Sequence, residues 1–243
     1  MKIQLALRLC LLCLILVLSA CATDFPSHYS AEPIEATVID ADTKQPLERV
    51  IVTANWQLES GNPGGSFVVG QMIVMEAVTD KDGVFHFPAW GPIRRKEGLL
   101  LDKDPQLLFF KSGYEYRSLS NYGRSLEGIW KDPVRTSKWN GKTIELKRFS
   151  GTIAEYSRRF YRFNSDLEQI ADRKPEDCNW KKLRQAIVAT ERERLKIVSQ
   201  LAQQKEVNPN TVGSVYQNII HNDNWYANKG CGSPVEFFRR YGP

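Results

Sequence analysis

The chain lacks the residue patterns that announce a reaction. Its 243 residues contain no HExxH, no GxSxG and no Walker-type glycine loop, so zincin, α/β-hydrolase and P-loop chemistry have no motif to stand on. Histidine is scarce, and His28, His86 and His221 are scattered. Beyond the N-terminal apolar run, which holds Cys10 and Cys13, no CxxC spacing occurs, which argues against a zinc ribbon or a thioredoxin-type redox pair. No repeat or low-complexity tract is found, so a solenoid and a disordered tail are both unsupported. A membrane-spanning run is missing too: the leucine-rich stretch Leu9 to Leu18 is roughly ten to twelve residues long, against about 20 for a bilayer core. Excess charge is modest, with 33 Lys and Arg against 28 Asp and Glu. That is not the footprint of a nucleic-acid binder. No metal, cofactor or nucleic-acid partner is expected, and no catalytic residue is assigned.

What is present begins at the N-terminus. Lys2 and Arg8 accompany the short apolar run, and Leu18-Ser19-Ala20-Cys21 closes it with small residues before a cysteine. This is the layout of a secretory signal with its cleavage site; left uncleaved, the segment would serve as a membrane tether. The tetrapeptide resembles the lipobox of bacterial lipoproteins. The resemblance implies that residues 1–20 are removed and that Cys21 becomes a lipidated first residue. Several acyl chains on one residue hold a protein firmly to a bilayer, whereas one chain binds only marginally. In that family an aspartate after the cysteine favours inner-membrane retention. Here the position is Ala22, which implies the outer membrane facing the periplasm, with the inner membrane as the other option. Residues 21–33, short, polar and broken by Pro26 and Pro33, read as a tether. Loss of Lys2 and Arg8 would lower the formal charge from +5 to about +3.

Of five cysteines, Cys10 and Cys13 fall in the signal and Cys21 takes the lipid, leaving Cys178 and Cys231. In an oxidising compartment a disulfide is the favoured reading over a metal or redox pair. Its loop of about fifty residues would be worth on the order of 3–4 kcal/mol.

Residues 34–149 are strand-like. Ile34, Ala36 and Val38 alternate with Glu35 and Thr37, and Val50, Val52 and Ala54 repeat the pattern after a turn at 42–46. A Gly/Pro-rich loop is expected at 60–66, a β-rich run at 68–79, a turn at Asp80-Lys81-Asp82-Gly83 and a strand with Phe85 and Phe87 on one face. Residues 107–110, 114–118 and 143–147 complete a set of short strands, which suggests a β-sandwich. The sequence Val38-Ile39-Asp40, Thr43, Pro46-Leu47, Val50, Val52, Thr79-Asp80, Gly83-Val84-Phe85 and the later Lys111-Ser112-Gly113-Tyr114 resembles the carboxypeptidase regulatory-like domain. That family has a transthyretin-like sandwich, and the resemblance covers about half the mature chain. One departure stands out: a glycine common after Pro-Leu is replaced by Glu48-Arg49. These modules accompany many unrelated partners, so the resemblance implies a fold and not an activity. An enzyme of the same fold, 5-hydroxyisourate hydrolase, ends in Tyr-Arg-Gly-Ser. Arg239-Arg240-Tyr241-Gly242-Pro243 has the wrong order and lies beyond the helices, so that activity is not carried over.

Residues 150–243 change texture. Ile153, Tyr156, Phe160, Phe163, Leu167 and Ile170 recur at helical spacing. A second helix is expected over 180–205, with Leu183, Ile187, Leu195, Val198 and Leu201 inward and Glu191 to Arg194 on the solvent face. A third is expected over 211–220, and an irregular tail, tied by the Cys178–Cys231 bond, follows. The fold class is therefore α+β: an N-terminal transthyretin-like β-sandwich followed by a smaller helical C-terminal region.

Asp80-Lys81-Asp82-Gly83 lacks the further ligands of a calcium loop and reads as a hairpin turn. The run 156–163, mixing arginines with aromatics, is either a grip for an anionic glycan or lipid or a helix with an aromatic core face and a basic solvent face; the second is favoured. Loops around Trp56 and around Ala89-Trp90-Gly91-Pro92 form the candidate binding surface, with sealing of the sandwich end as the competing and favoured role. The functional expectation is a lipid-anchored envelope protein, a non-enzymatic binding or docking module for another envelope protein or a glycan. The alternative is a hydrolase with a site between sandwich and helices, built on His86 or His221.

Overall fold

Alternation along β2 (Ile34–Asp40) sets the architecture, because Ile34, Ala36, Val38 and Asp40 all turn inward. The computed structural model describes residues 25–62, 65–101, 103–121, 132–204 and 212–242. The signal at 1–20 and Cys21 lie outside them. β2 pairs antiparallel with β5 (Val84–Phe87) and parallel with β11 (Thr143–Leu146). A second sheet places β1 (His28–Ala31) between β6 (Trp90–Arg94) and β10 (Val134–Arg135). The third holds β3 (Ile51–Asn62) between β4 (Gly65–Val78) and β8 (Gln106–Phe110). β9 (Arg117–Leu119) lies beyond β8, and β7 (Leu99–Leu100) pairs with the far part of β3.

The β3–β4–β8 sheet is buried on both faces. Val52, Ala54, Trp56, Leu58, Leu107 and Phe109 join the core formed with the other two sheets. Leu108 and Phe110 face the opposite way and join the helices. A strand covered on both sides loses its polar alternation, which explains the continuous apolar run 107–110.

Four turn residues converge behind β2. The Thr79 hydroxyl accepts from the Val50 N–H (2.8 Å) and donates to the Leu47 carbonyl (2.6 Å). The Val38 N–H donates to the Gly83 carbonyl, and the Leu47 N–H to the Val38 carbonyl. Gly83 has φ +74, and a Cβ there would sit 2.4 Å from the Val38 oxygen, so the turn requires glycine.

Five helices follow among the described residues: α1 (Ile153–Asp172), α2 (Arg184–Gln204), α3 (Val215–His221), α4 (Asp223–Asn228) and α5 (Pro234–Phe238). Thr152 and Glu155 form a reciprocal capping box at the start of α1. Two 3₁₀ turns, Pro175–Asp177 and Asn179–Leu183, lead into α2. The start of α2 is capped from another element: the Glu76 carboxylate on β4 accepts the N–H groups of Gln185 (2.9 Å) and Ala186 (2.6 Å). Phe110 stacks on Phe163 at 5.1 Å, so the sheet and α1 share one core. The fold is α+β, with β-sheets packed in a sandwich and a helical region after them.

Several expectations need correction. Residues 28–31 form β1 rather than a tether, because Tyr29 and Ala31 are buried between β6 and β10. The expected loop at 60–66 is largely strand: β3 runs to Asn62 and β4 resumes at Gly65, with 63 and 64 outside the described residues. The tail contains α4 and α5 rather than irregular chain. Leu195 is 45% exposed, and Ile197 takes the inward place. Glu191 and Glu193, expected at the solvent face, are buried, since α2 packs on three sides rather than one. Glu191 accepts from Arg194, from Ser214 (the cap of α3) and from Gln217.

Candidate functional site

The residues first marked for binding do not form a surface. Trp56 is 1% exposed and Trp90 8%, with ring centroids 5.5 Å apart in an edge-to-face pair. Trp56 lies within the long strand β3 and Trp90 opens β6, so both rings face the sandwich core, where large aromatics bury most area. The candidate binding surface at Trp56 and Trp90 is thereby replaced by a core role. Cys178 and Cys231 are joined by a disulfide with Cα atoms 5.5 Å apart. Cys21 lies outside the described residues. His86 is exposed on β5 beside Glu35, and His221 ends α3; the structure does not bring the histidines together with each other. Among the described residues no group of three His, Cys, Asp or Glu side chains is arranged to hold a metal ion, and no helix is long and apolar enough to cross a membrane.

The concavity with chemical character is a furrow where the β3–β4 sheet meets α2. Its first part, a cavity of about 420 Å³, has an apolar floor of Ile51, Val78, Val188 and Ala189. The rim carries Arg49, Arg184, Arg192 and Tyr241. A second part of about 240 Å³ shares Arg49, Ile51, Ala189 and Arg192 and adds Lys111, Ser112, Glu193 and Lys196. Positions 184, 188, 192 and 196 recur every fourth residue and so make one stripe of α2. At 1.5 Å per residue that stripe runs about 18 Å.

Each cation is held differently. Arg184 lies over the Tyr241 ring at 4.3 Å. Arg192 Nη2 donates to the carbonyl oxygens of Tyr241 (3.2 Å) and Gly242 (2.9 Å). Lys111 Nζ donates to the Glu48 carbonyl at 2.7 Å. Burial pushes the Lys111 ammonium down; Glu48 opposes this, and the Arg49 and Arg148 charges add to it. Among the described residues Arg49, Arg184 and Arg192 make no ion pair with a carboxylate. Lys196 does, with Glu193 at 3.2 Å.

Arg49 has φ +61. A non-glycine residue there pays roughly 1–2 kcal/mol. It belongs to the pair Glu48-Arg49 that stands in place of the glycine common after Pro-Leu in the resembled family. Backbone strain of this kind concentrates at functional sites, and here it sets a guanidinium on the rim of the cavity.

Glu193 closes the lower end. It accepts from the Tyr156 hydroxyl (2.8 Å) and from Ser112 (2.6 Å), and Lys196 Nζ reaches the same serine at 3.2 Å. Burial, then the Glu193 charge, pushes the Tyr156 phenol up. A serine beside a lysine invites a nucleophile–base reading. The exposed ammonium is already the counter-ion of Glu193, and the serine hydroxyl already donates to that carboxylate, so the trio ties α1, α2 and the turn at 112–113 together. Sequence reasoning missed this site because its members lie at 49, 111, 184, 192 and 241; the missing glycine at 48–49 was the one available signal.

No known protein family matches the sequence, and no curated protein does. Solved structures overlap parts of the chain. The 3-chlorocatechol 1,2-dioxygenase of Rhodococcus opacus 1CP is 14% identical with a TM-score of 0.29, the overlap covering 51% of this chain and 62% of that one. The dioxygenase domain of a dioxygenase carbohydrate-binding protein fusion from Streptomyces sp. SirexAA-E is 15% identical with a TM-score of 0.25, covering 54% and 85%. A 9R-lipoxygenase from Cyanothece PCC8801 is 14% identical with a TM-score of 0.26, covering 61% and 23%. These are partial, low-scoring overlaps, and no activity transfers from them.

Proposed function

We propose that this protein is a lipid-anchored bacterial envelope module, not an enzyme, that holds an anionic group of a partner in the furrow between its β-sheet and α2. One observation carries the reading: Arg49, Arg184 and Arg192 converge on a single cavity and none forms a close ion pair among the described residues, the nearby Glu76 charge being engaged by the N–H groups at the start of α2. Guanidinium forks suit carboxylate and phosphate oxygens, and an apolar floor beneath them weakens the competition from water. The strained backbone of Arg49 supports a binding role, since glycine would satisfy the turn alone.

The anchor is proposed from Leu18-Ser19-Ala20-Cys21, with Ala22 favouring the outer membrane facing the periplasm. A carboxypeptidase regulatory-like identity for the β-body is proposed on the motif residues, and the shared hydrogen bonds of Val38, Leu47, Val50, Thr79 and Gly83 support it. The hydrolase reading rests on His86 or His221, and neither histidine lines the furrow.

The test is calorimetric titration of the purified mature protein with pyrophosphate and with digalacturonate, set beside Arg184→Ala and Arg192→Ala variants. The expected result is saturable binding of at least one probe, weakened about tenfold or more by either substitution, each of which removes a charge-assisted contact. Heat signals indistinguishable between wild type and variants for both probes would overturn the reading.

A further inference from the structure

A second basic concavity adjoins the first. Glu155, Arg158, Arg159 and Arg162 occupy one stripe of α1 at helical spacing. With Tyr116, Phe149 and Ser150 they line a cavity of about 490 Å³. All three arginines are exposed. Arg159 pairs with Glu115 at 3.2 Å and lies over the Phe149 ring at 5.8 Å. Arg158 and Arg162 make no ion pair among the described residues. Glu155 is committed to the capping box at Thr152.

The two concavities meet at the turn 112–113. Lys196, in the lower part of the first, touches Ser112, and the next residue donates its N–H to the Tyr156 hydroxyl on α1 at 3.2 Å. A small pocket lined by Phe110, Tyr116, Tyr156, Arg159 and the Glu115 carboxylate that Arg159 neutralises lies between them. It shares Phe110 with the lower part of the furrow, and Tyr116 and Arg159 with the second concavity. The cationic path therefore runs down α2 from Arg184 to Lys196 and along α1 from Tyr156 to Arg162. At 1.5 Å per residue the two segments sum to roughly 25–30 Å.

We propose that the path binds a linear anionic polysaccharide along its length, so that the furrow on α2 and the arginine face of α1 are two subsites for one chain. This rests on the anion-binding reading of the furrow and names the ligand class for it. A compact anion would need only one cluster. Aromatic rings flank both, Tyr241 at the upper end and Tyr116 and Phe149 at the lower. Such rings accept the apolar faces of sugar rings, and the guanidinium groups between them accept the carboxylates.

The first described strand lies toward the other end of β3 from the furrow floor. The described chain enters the β-body at His28, paired with Arg94. Arg94 and Leu58 line the same cavity. Leu58 lies seven residues along β3 from Ile51 in the furrow floor, about 23 Å at strand rise.

The experiment measures affinity of the lipid-free mature protein for galacturonate oligomers of increasing length, at several salt concentrations. Three proteins are compared: wild type, Arg184→Ala/Arg192→Ala, and Arg158→Ala/Arg162→Ala, the last altering only exposed side chains. The expected result is affinity that rises more than about tenfold with length in the wild type, as for linked sites. The α1 double variant should bind the dimer like wild type and lose the gain with length, together with part of the salt dependence. The α2 double variant should be weak at every length. Length-independent binding that still responds to the α2 variant would overturn the two-subsite proposal and leave the furrow reading intact. No binding of dimer, long oligomer or pyrophosphate would overturn both. Tighter binding of a single-stranded oligonucleotide of matched charge than of the oligogalacturonate would overturn the polysaccharide assignment.

Discussion

Tyr114 and Asp40, 74 residues apart in sequence, meet in a buried hydrogen bond of 2.7 Å from the phenol to the carboxylate. Asp40 also accepts from Arg148 Nε at 2.9 Å and from the N–H groups of Asp42 and Thr43. The bond from Thr43 and then that from Tyr114 are the leading causes holding this carboxyl well below the usual range; burial opposes them, and Asp42 and Arg148 assist. The end of β2, the turn after it and the strand beyond the 112–113 turn are thereby fixed to one charge.

A folded-state pKa below the unfolded value of about 3.9 contributes stability that is present above that value and lost as pH falls through it. Urea midpoints of the wild type should therefore decline between about pH 5 and pH 2. Asp40→Asn should be less stable at neutral pH and show a flatter decline over the same window. Parallel pH profiles for the two proteins would refute this role for Asp40.

Glu76 makes a second carboxylate prediction of a different kind. It satisfies two N–H groups at the start of α2 from a neighbouring strand, and burial pushes its carboxyl up while the Ala186 and Gln185 bonds hold it down. Glu76→Ala should cost about 1–2 kcal/mol, the scale of a lost helix cap, read from chemical denaturation. An unchanged unfolding midpoint would show that the cap contributes nothing.

The disulfide secures the opposite side of the same site. Cys178 and Cys231 are 53 residues apart, and next to them Trp180 packs edge-to-face on Tyr226 and Phe237. That cluster orders the tail that delivers Tyr241 and the Gly242 carbonyl to Arg184 and Arg192. Replacing both cysteines by serine should cost about 3–4 kcal/mol by the loop-entropy relation. Reductant should then have no further effect on the double variant. A wild-type protein whose midpoint is indifferent to reductant would contradict the assignment.

How far the chain could be read follows from these particulars. Strand phase was legible wherever one face meets solvent, as in Ile34 to Val38, and the Phe85–Phe87 pair lies as spaced. It failed at β1, where four residues are too few to show a period. Helix α1 was legible because its apolar face is single. The face of α2 was misjudged because Glu191 and Glu193, besides their ion pairs with Arg194 and Lys196, accept hydroxyl hydrogen bonds from α1, from the cap of α3 and from the 112–113 turn, which no local pattern encodes. Trp56 and Trp90 were placed outside for want of a sign that β3 is long and doubly covered. The furrow assembles five cations from three separate places in the chain, Arg49, Lys111 and the α2 stripe, and the replacement of a glycine by Glu48-Arg49 was the one departure noted there in the sequence.

Arg49 provides the sharpest remaining prediction, because its backbone and its side chain pull in opposite directions. At φ +61 a glycine is the less strained residue, so Arg49→Gly should leave stability unchanged or raise it by up to about 1 kcal/mol, the backbone relief being partly offset by the entropy of an unfolded glycine. The same change removes one of the unpaired guanidinium groups over the apolar floor, so anion affinity should fall about tenfold, as for a lost charge-assisted contact. Arg49→Ala should lose the affinity without the backbone relief, and Arg49→Lys should retain part of the binding at the original strain. Thermal unfolding and calorimetric titration of the three variants separate the two effects. If Arg49→Gly binds pyrophosphate and digalacturonate as the wild type does, the left-handed arginine is a structural accident of the turn and not an element of the site.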